Sequence, residues 1–177
     1  MLVEVVALDL ARRDFYPELD RVTRDLDVGL VINNAGYGYF GAQEEGEEEA
    51  VRRIFDVNVL GTRNLLAAAR QAGVGRVVVT GSFSAVGHRK GEASDESIPF
   101  NVFDNVMPYE RSKVHVEHEV LKAVAEGQDV VIATSCSILG PNDFKPSRMG
   151  RVLCDVANGK MPAYLDGGFE FVAAQDI

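Results

Sequence analysis

The fold class can be predicted from the stretch Leu65-Leu-Ala-Ala-Ala-Arg-Gln-Ala-Gly-Val-Gly-Arg-Val-Val-Val-Thr80. Its first half continues an apolar helical period that begins near Ala50 and runs to Ala72, and Gly73 is a typical residue to end a helix. Its second half, Arg76 to Thr80, is the short β-branched run of a buried strand. The sequence therefore predicts a helix that leads directly into a strand.

The same alternation extends along the whole chain. Further strands are predicted at Val3 to Leu8, Leu30 to Ile32 and Val130 to Thr134, and further helices at Tyr16 to Leu26, Tyr109 to Ala125 and Gly150 to Asn158. Parallel strands need long crossovers, and helices supply them. The prediction is an α/β fold with a doubly wound parallel sheet covered on both faces. A length of 177 residues with 46% hydrophobic content indicates one domain, residues 1–177.

Charge and hydropathy exclude several classes of partner. The formal net charge is -9 and the pI is about 4.8, so nucleic acids and anionic membranes are not expected partners. No apolar run approaches the ~20 residues that cross a bilayer, and no signal-peptide pattern opens the chain. These features predict a soluble, acidic, cytoplasmic protein.

The pentapeptide Tyr109-Glu-Arg-Ser-Lys113 carries the most chemical information. Residues four apart share one helix face, which brings a phenol close to an ammonium. A nearby positive charge favours a phenolate, so Lys113 can make Tyr109 a useful acid and base. The pattern Tyr-x-x-x-Lys is common by chance, and its context must decide.

The order of the motifs supplies that context. Asp9-Leu10 follows the first predicted strand and Asn33-Asn34-Ala35-Gly36 follows the next; Asn58, Ser82, Tyr109 and Lys113 come after them. This series resembles the short-chain dehydrogenase/reductase superfamily, whose fold is Rossmann-like. The long gap between Ser82 and Tyr109 and the run Asn58 to Gly73 resemble its extended, NAD-dependent epimerase/dehydratase branch. Weaker matches are similar to dihydroflavonol-reductase-like proteins.

The resemblance implies a role for each of these residues. Tyr109 would be the general acid/base, Lys113 would tune it and bind the nicotinamide ribose, Ser82 would hold the substrate oxygen, and Asn58 would anchor a water of the proton relay. The cofactor would also contact Asp9, Leu10, Asn34, Ala35 and Gly36. Ser84 is the alternative to Ser82. No metal is expected, because His115 and His118 have no further ligands to complete a site.

The resemblance is incomplete at both ends of the chain. The glycine-rich turn that should precede Asp9 by several dozen residues is missing, and with it the residue that selects NAD or NADP, so either cofactor is possible. We therefore expect an incomplete Rossmann-like domain. Either the chain is a fragment, which we favour, or the first strand pairs directly with the strand before Asn33.

The expected function is that of an NAD(P)-dependent oxidoreductase or epimerase/dehydratase. It would act on a secondary alcohol or a carbonyl by hydride transfer. The alternatives are a non-catalytic relative that senses a nucleotide or binds a protein, and an inactive fragment of such an enzyme. The loop from His88 to Pro108 is expected to face the substrate, or else to be a surface insertion. Helices beginning near Ala50 and Tyr109 suggest a homodimer by analogy with the family.

Overall fold

A computed structural model of the chain describes residues 3–12, 14–38, 47–89, 91–99, 107–144, 147–164, 166–168 and 170–177. The chain divides into two compact units, Met1–Thr134 and Ser135–Ile177. The organisation of residues 1–177 as one domain stays a prediction. None of the described helices combines the length and the apolar character needed to cross a membrane.

The first unit alternates helices with strands. Its elements are α1 (Tyr16–Thr23), β1 (Leu30–Asn33), α2 (Glu48–Phe55), a π-helical segment (Asp56–Gly61), α3 (Thr62–Gln71), β2 (Arg76–Thr80), a 3₁₀ turn (Phe83–Ala85), α4 (Pro108–Ala125) and β3 (Val130–Ala133). The second unit contains β4 (Ser137–Leu139), α5 (Arg148–Ala157), β5 (Phe171–Ala173) and a 3₁₀ turn (Ala174–Asp176).

Both sheets are parallel. In the first unit the order is β1-β2-β3, and Ile32, Val78 and Val131 stand side by side across the three strands. In the second unit β4 pairs with β5. Parallel strands joined by helices confirm the predicted α/β fold class. The sequence did not predict β4 and β5, which are only three residues long.

The main core lies between the first sheet and two helices. Val77 and Val79 of β2 are each 1% exposed and pack against Leu66 of α3 and Val120 of α4. The connections β1–α3–β2 and β2–α4–β3 advance in the same direction across the sheet. Because such crossovers are right-handed, α3 and α4 lie on the same face.

The opposite face of this sheet differs from the prediction. Ile32 is 64% exposed and Val131 is 44% exposed, although both belong to apolar strands. The expectation that helices cover both faces is wrong for the described residues of the first unit. The same handedness rule explains the difference, because two successive right-handed crossovers leave one face uncovered.

The predicted strand Val3 to Leu8 is also wrong. Residues 3–8 have no regular secondary structure, and Val3 and Val5 are 70% and 89% exposed. A strand is stable only when it pairs with a neighbour, and the described part of β1 pairs with β2 alone. The alternative in which the first strand pairs directly with β1 is therefore contradicted.

Most of the other predicted elements agree with the structure, and their ends differ by a few residues, as helix ends generally do. The helix predicted from Ala50 to Ala72 is helical throughout, but the π-helical segment Asp56–Gly61 lies between α2 and α3 and was not predicted. The helix predicted at Gly150 begins at Arg148, where Ser147 caps it by accepting a hydrogen bond from the Gly150 backbone N–H at 2.9 Å. The loop from His88 to Pro108 has no helix or strand at residues 88–89 and 91–99. Lys90 and residues 100–106 lie outside the described part.

Gly81 is the first residue after β2, and its N–H donates to the backbone oxygen of Ala133, the last residue of the neighbouring strand β3. A Cβ on Gly81 would lie 2.5 Å from Thr134 Oγ1 and 2.7 Å from Ile132 Cγ2. Both atoms belong to stiff β-branched side chains that cannot swing away. We expect Gly81→Ala to lower the free energy of unfolding by about 1–3 kcal/mol in urea denaturation. Gly29→Ala is the matched control, because a Cβ there meets nothing within 4 Å; equal losses in the two variants would contradict this packing.

Candidate active site

The first turns of α4 carry the predicted reactive pair. Pro108 opens the helix, at a position where its fixed φ is favourable. Tyr109 and Lys113 follow one turn apart, and Lys113 Nζ lies 5.8 Å from the centre of the Tyr109 ring. The structure thus brings the phenol and the ammonium together, as the spacing predicts.

Lys113 is buried at the carboxyl end of β2. Only 8% of the residue is exposed, and its Nζ donates a hydrogen bond to the backbone oxygen of Thr80 at 3.0 Å. Burial lowers the pKa of Lys113, because the charged form loses contact with water. An ammonium held here is costly unless its three donors find acceptors.

This lowered pKa makes a prediction about stability. Folding disfavours the charged form of Lys113, so the unfolded chain binds more protons between the lowered folded pKa and about 10.4. The free energy of unfolding should therefore rise with pH in this window, and this contribution should vanish in Lys113→Met. Urea denaturation of both proteins from neutral to alkaline pH should show the wild type gaining on the variant. A difference that stays constant with pH would contradict the prediction.

A second hydrogen bond ties the ends of two strands together. Thr80 Oγ1 at the end of β2 donates to Asn34 Oδ1, just after β1, at 2.9 Å. The backbone from Asn34 to Gly36 is exposed next to this bond. Asn34, Ala35 and Gly36 thus lie at the carboxyl edge of the sheet, which is where open α/β sheets bind their ligands.

Asn58 lies in the π-helical segment and is 2% exposed. Its Oδ1 accepts from the Tyr37 N–H at 2.8 Å, and its Nδ2 donates to the Tyr37 oxygen at 2.9 Å. The same Nδ2 donates to Ser112 Oγ at 2.9 Å. Asn58 therefore joins the loop after β1 to α4. Such π-helical insertions are frequent at functional sites.

Ser82 stands at the turn that follows β2. It is half-buried and extended, and its Oγ accepts a hydrogen bond from the Ser84 N–H at 3.3 Å, which caps the 3₁₀ turn. This turn contacts α4, so Ser82 and Tyr109 belong to two elements that pack together. Ser84, the alternative, supports Ser82 through its backbone.

Asp9 and Leu10 lie against the helix that carries Asn58. Asp9 Oδ2 is 3.7 Å from the Arg53 guanidinium, and a Cβ on Gly61 would be 3.3 Å from Leu10 Cβ. Asp9 also lines an open pocket with Ala7 and Phe15, and no residue of α4 is found in the described lining of that pocket. The pocket is therefore separate from the Tyr109–Lys113 pair.

Comparison with known proteins decides the family. The family model for NAD dependent epimerase/dehydratase proteins matches residues 2–177. The chain belongs to this family. The resemblance drawn from the motifs is thus confirmed.

The family contains relatives of different activities. Over 126 residues the chain is 45% identical to sterol demethylase protein B of Methylococcus capsulatus, which covers 71% of this chain and 38% of that protein. It is 38% identical to a putative dihydroflavonol 4-reductase of Synechocystis sp., over 70% of this chain and 36% of that protein. The chain spans little more than a third of the length of these curated relatives.

A solved structure of the same family has the same fold. The dTDP-glucose 4,6-dehydratase DesIV of Streptomyces venezuelae, with NAD and TYD bound, is 25% identical with a TM-score of 0.69. The match covers 95% of this chain and 50% of that one. This chain therefore has the Rossmann-like architecture.

Three residues that support the candidate site were not among those predicted from the sequence. Thr80, Ser112 and Tyr37 hold the predicted residues in place through hydrogen bonds. Ser112 had a visible signal, because it lies inside the Tyr109 to Lys113 pentapeptide on a buried helix face. Tyr37 had none, since its backbone atoms and not its side chain make the contact.

The two histidines of α4 are exposed and make ring contacts. The His115 ring lies 5.8 Å from the Phe55 ring and 6.0 Å from the His118 ring, between centres. The described residues contain no group of three or more side chains that could hold a metal ion. Ring packing therefore accounts for His115.

Gly36 and Lys113 bear on whether the edge of the sheet fits a nicotinamide cofactor. A Cβ on Gly36 would meet nothing closer than Asn58 Oδ1 at 3.7 Å, and the backbone there is exposed. A ligand can approach such a backbone closely. One of the three Lys113 donors is used by Thr80, which leaves donors for the hydroxyl groups of a ribose. These residues fit a nicotinamide cofactor.

Proposed function

We propose that this chain carries the catalytic residues of an NAD(P)-dependent enzyme that acts on a secondary alcohol or a carbonyl compound. The observation that supports it is the buried ammonium of Lys113, one helical turn from Tyr109 and bonded to the end of β2. The reaction would be an oxidoreduction, alone or as one step of an epimerisation or dehydration. A bound nicotinamide would supply the hydride acceptor or donor at its C4 position.

Seven residues would contact the cofactor in this proposal. Lys113 would donate to the ribose hydroxyls next to the nicotinamide, and Tyr109 would lie beside them. Asn34, Ala35, Gly36, Asp9 and Leu10 would contact the adenosine half. The family description and the NAD-bound dehydratase favour NAD. The titration described below compares the affinities for NADH and NADPH.

Proton transfer would fall to Tyr109. In the oxidative direction the phenolate of Tyr109 would take the hydroxyl proton, the bound nicotinamide would supply the acceptor for the hydride of the carbinol carbon, and the alcohol would become a ketone. Ser82 Oγ donates a hydrogen bond to the same oxygen and holds it. The positive charge of Lys113 favours the phenolate. In the reductive direction Tyr109 returns its proton to the alkoxide.

Asn58 would support the proton relay in a restricted way. Both of its amide N–H groups are used, by Tyr37 and Ser112. The side-chain oxygen and the backbone oxygen of Asn58 can still accept hydrogen bonds. Thr62 Oγ1 already donates to the backbone oxygen of Asn58 at 2.6 Å. A relay water at Asn58 must therefore donate a hydrogen bond to Asn58.

The substrate would be a small molecule placed near the Ser82 turn. The loop after this turn is packed onto it, because the His88 ring lies 4.8 Å from the Phe83 ring and His88 Nδ1 is 2.7 Å from Ser94 Oγ. Phe83 is 41% exposed beside Ser82. We propose that the loop at residues 91–99 faces the substrate.

Cofactor binding tests the proposal. The purified chain is titrated with NADH and with NADPH, and binding is followed by cofactor fluorescence and thermal shift. We expect saturable binding that is lost in Lys113→Ala and kept in Lys122→Ala, which removes only an exposed ion pair with Glu119. Equal affinities in wild type and Lys113→Ala would contradict the site. A folded chain that binds neither cofactor would contradict the proposed function of this chain.

A homodimer through the helices beginning near Ala50 and Tyr109 is also proposed. On α4, Leu121 is 53% exposed and Val124 is 46% exposed, and a second copy of the chain would cover this apolar surface. Light scattering after gel filtration measures the mass of the particle in solution. A monomeric mass at micromolar concentration would contradict the dimer.

A further inference from the structure

We propose that Ser112 is a positioning residue that fixes Tyr109 against Asn58. The inference rests on the proposed function where it treats Tyr109 as the acid/base. Ser112 lies in the chain between Tyr109 and Lys113, and it is 0% exposed. It would touch neither substrate nor cofactor, and it would act only through the groups it holds.

The hydrogen bonds of Ser112 have a fixed direction. Its Oγ is 2.7 Å from the Tyr109 backbone oxygen, which can only accept, so Ser112 donates its single proton there. The same Oγ is 2.9 Å from Asn58 Nδ2, which donates to it. The hydroxyl therefore connects an amide of the π-helical segment to the backbone of Tyr109.

The orientation of the Asn58 amide is also fixed. Its oxygen faces the Tyr37 N–H and its nitrogen faces the Tyr37 oxygen. In a flipped amide, the Asn58 N–H groups would face the Tyr37 N–H and the Asn58 oxygen would face the Tyr37 oxygen, so neither hydrogen bond could form. Both N–H groups of Asn58 are thereby used, and a continuous line of hydrogen bonds runs from Tyr37 through Asn58 and Ser112 to Tyr109.

Tyr109 needs such a restraint because of its place in the helix. It is the second residue of α4, in the first turn, where the backbone N–H groups lack intrahelical acceptors and helix ends fray. A serine that bonds to its own helix three residues back is a common local feature. The bond from Asn58 turns this local feature into a tertiary contact. The line of hydrogen bonds thus connects the N-terminal turn of α4 to the loop after β1.

Loss of the hydroxyl should affect Tyr109 more than Lys113. Without Ser112 Oγ, one buried N–H of Asn58 has no partner, and the Tyr109 carbonyl keeps its intrahelical bond but loses its link to Asn58. Lys113 keeps its own bond to Thr80, which does not involve Ser112. The expected result is a displaced or mobile Tyr109 beside an ammonium that stays in place.

The experiment observes the Tyr109 ring directly. The full chain is labelled with ¹³C-tyrosine, and the Tyr109 signal is assigned by its absence in Tyr109→Phe. Ser112→Ala removes the hydroxyl, and Ser112→Cys keeps the volume with weaker hydrogen bonds. Thr23→Val is the matched control, because Thr23 Oγ1 makes a similar bond to the Leu19 oxygen at 2.9 Å in α1.

We expect the Tyr109 signal to broaden about twofold or to split in Ser112→Ala, and to change less in Ser112→Cys. The Tyr16 signal should stay as in the wild type, and Thr23→Val should leave Tyr109 unchanged. A wild-type Tyr109 signal in a folded Ser112→Ala protein would overturn the proposal. If Ser112→Ala does not fold, Ser112→Cys decides in the same way.

This readout is independent of cofactor binding. A chain that binds no NADH or NADPH but shows the change at Tyr109 would contradict the proposed function and keep the role of Ser112 in holding Tyr109. A chain that binds the cofactor and shows no change at Tyr109 would keep the proposed function and overturn the role of Ser112.

Discussion

Tyr109→Phe should lower turnover by a factor of about 10²–10⁴ and leave the affinity for NADH nearly unchanged. Phenylalanine keeps the ring and its packing but removes the one group proposed to exchange a proton with the substrate. The assay follows NADH consumption with a panel of small carbonyl compounds. The expected pattern is a loss in kcat without a loss in cofactor binding.

Tyr16→Phe is the matched control for this variant. Tyr16 also lies in the first turn of a helix, and its hydroxyl donates to the Asn64 backbone oxygen, away from Lys113. We expect turnover in this variant to stay close to that of the wild type. Turnover in Tyr109→Phe equal to that in Tyr16→Phe would contradict the proton-transfer role of Tyr109.

Asn58→Leu should lower the free energy of unfolding by about 2–5 kcal/mol. Leucine is similar in size, but it cannot pair with the Tyr37 N–H, the Tyr37 oxygen or Ser112 Oγ. The Tyr37 N–H and oxygen would lose a hydrogen-bond partner in a part-buried setting, and the buried Ser112 Oγ would lose the donor that it accepts from while it keeps its own bond to the Tyr109 oxygen. Urea denaturation measures the change.

Gln71→Leu provides the control for Asn58→Leu. Gln71 is the last residue of α3, and it is exposed, so its amide can bond to water in either state. We expect a change within about 0.5 kcal/mol. Similar losses in Asn58→Leu and Gln71→Leu would show that the Asn58 network contributes little to stability.

The sequence predicted the parts of the fold that local pattern controls. The helical period before Gly73 and the valines of Arg76–Thr80 gave α3 and β2 with small errors at their ends. The run Val3 to Leu8 has a similar composition but forms no strand. Pairing with a neighbouring strand decides that outcome, and a local pattern carries no information about the neighbour.

The sequence also did not predict which face of the sheet the helices cover. An apolar strand such as β1 suggests burial on both sides, yet Ile32 is mostly exposed. The side on which a helix packs depends on the order and handedness of the connections. Strand composition alone does not contain that order.

The site was predictable only where its geometry is local. Tyr109 and Lys113 are four residues apart, so the helical period alone brings them together. The contacts of Asn58 with Tyr37 and Ser112 span 21 and 54 residues. Such contacts appear only once the chain is folded. The catalytic roles of Ser82, Asn58, Tyr109 and Lys113 stay predictions that the variants above test.

NMR mapping of NADH on the folded chain tests the claim on which the proposed function depends. The claim is that a nicotinamide cofactor binds at the edge formed by the ends of β1 and β2, beside Lys113. On addition of NADH, the amide signals of Gly36, Gly81 and Lys113 should shift, and the signal of Gly127, which precedes β3 at the opposite end of the sheet, should not. If the signals of Gly36 and Lys113 do not move while other signals shift, the cofactor does not bind at this edge of the sheet and the proposed site is wrong.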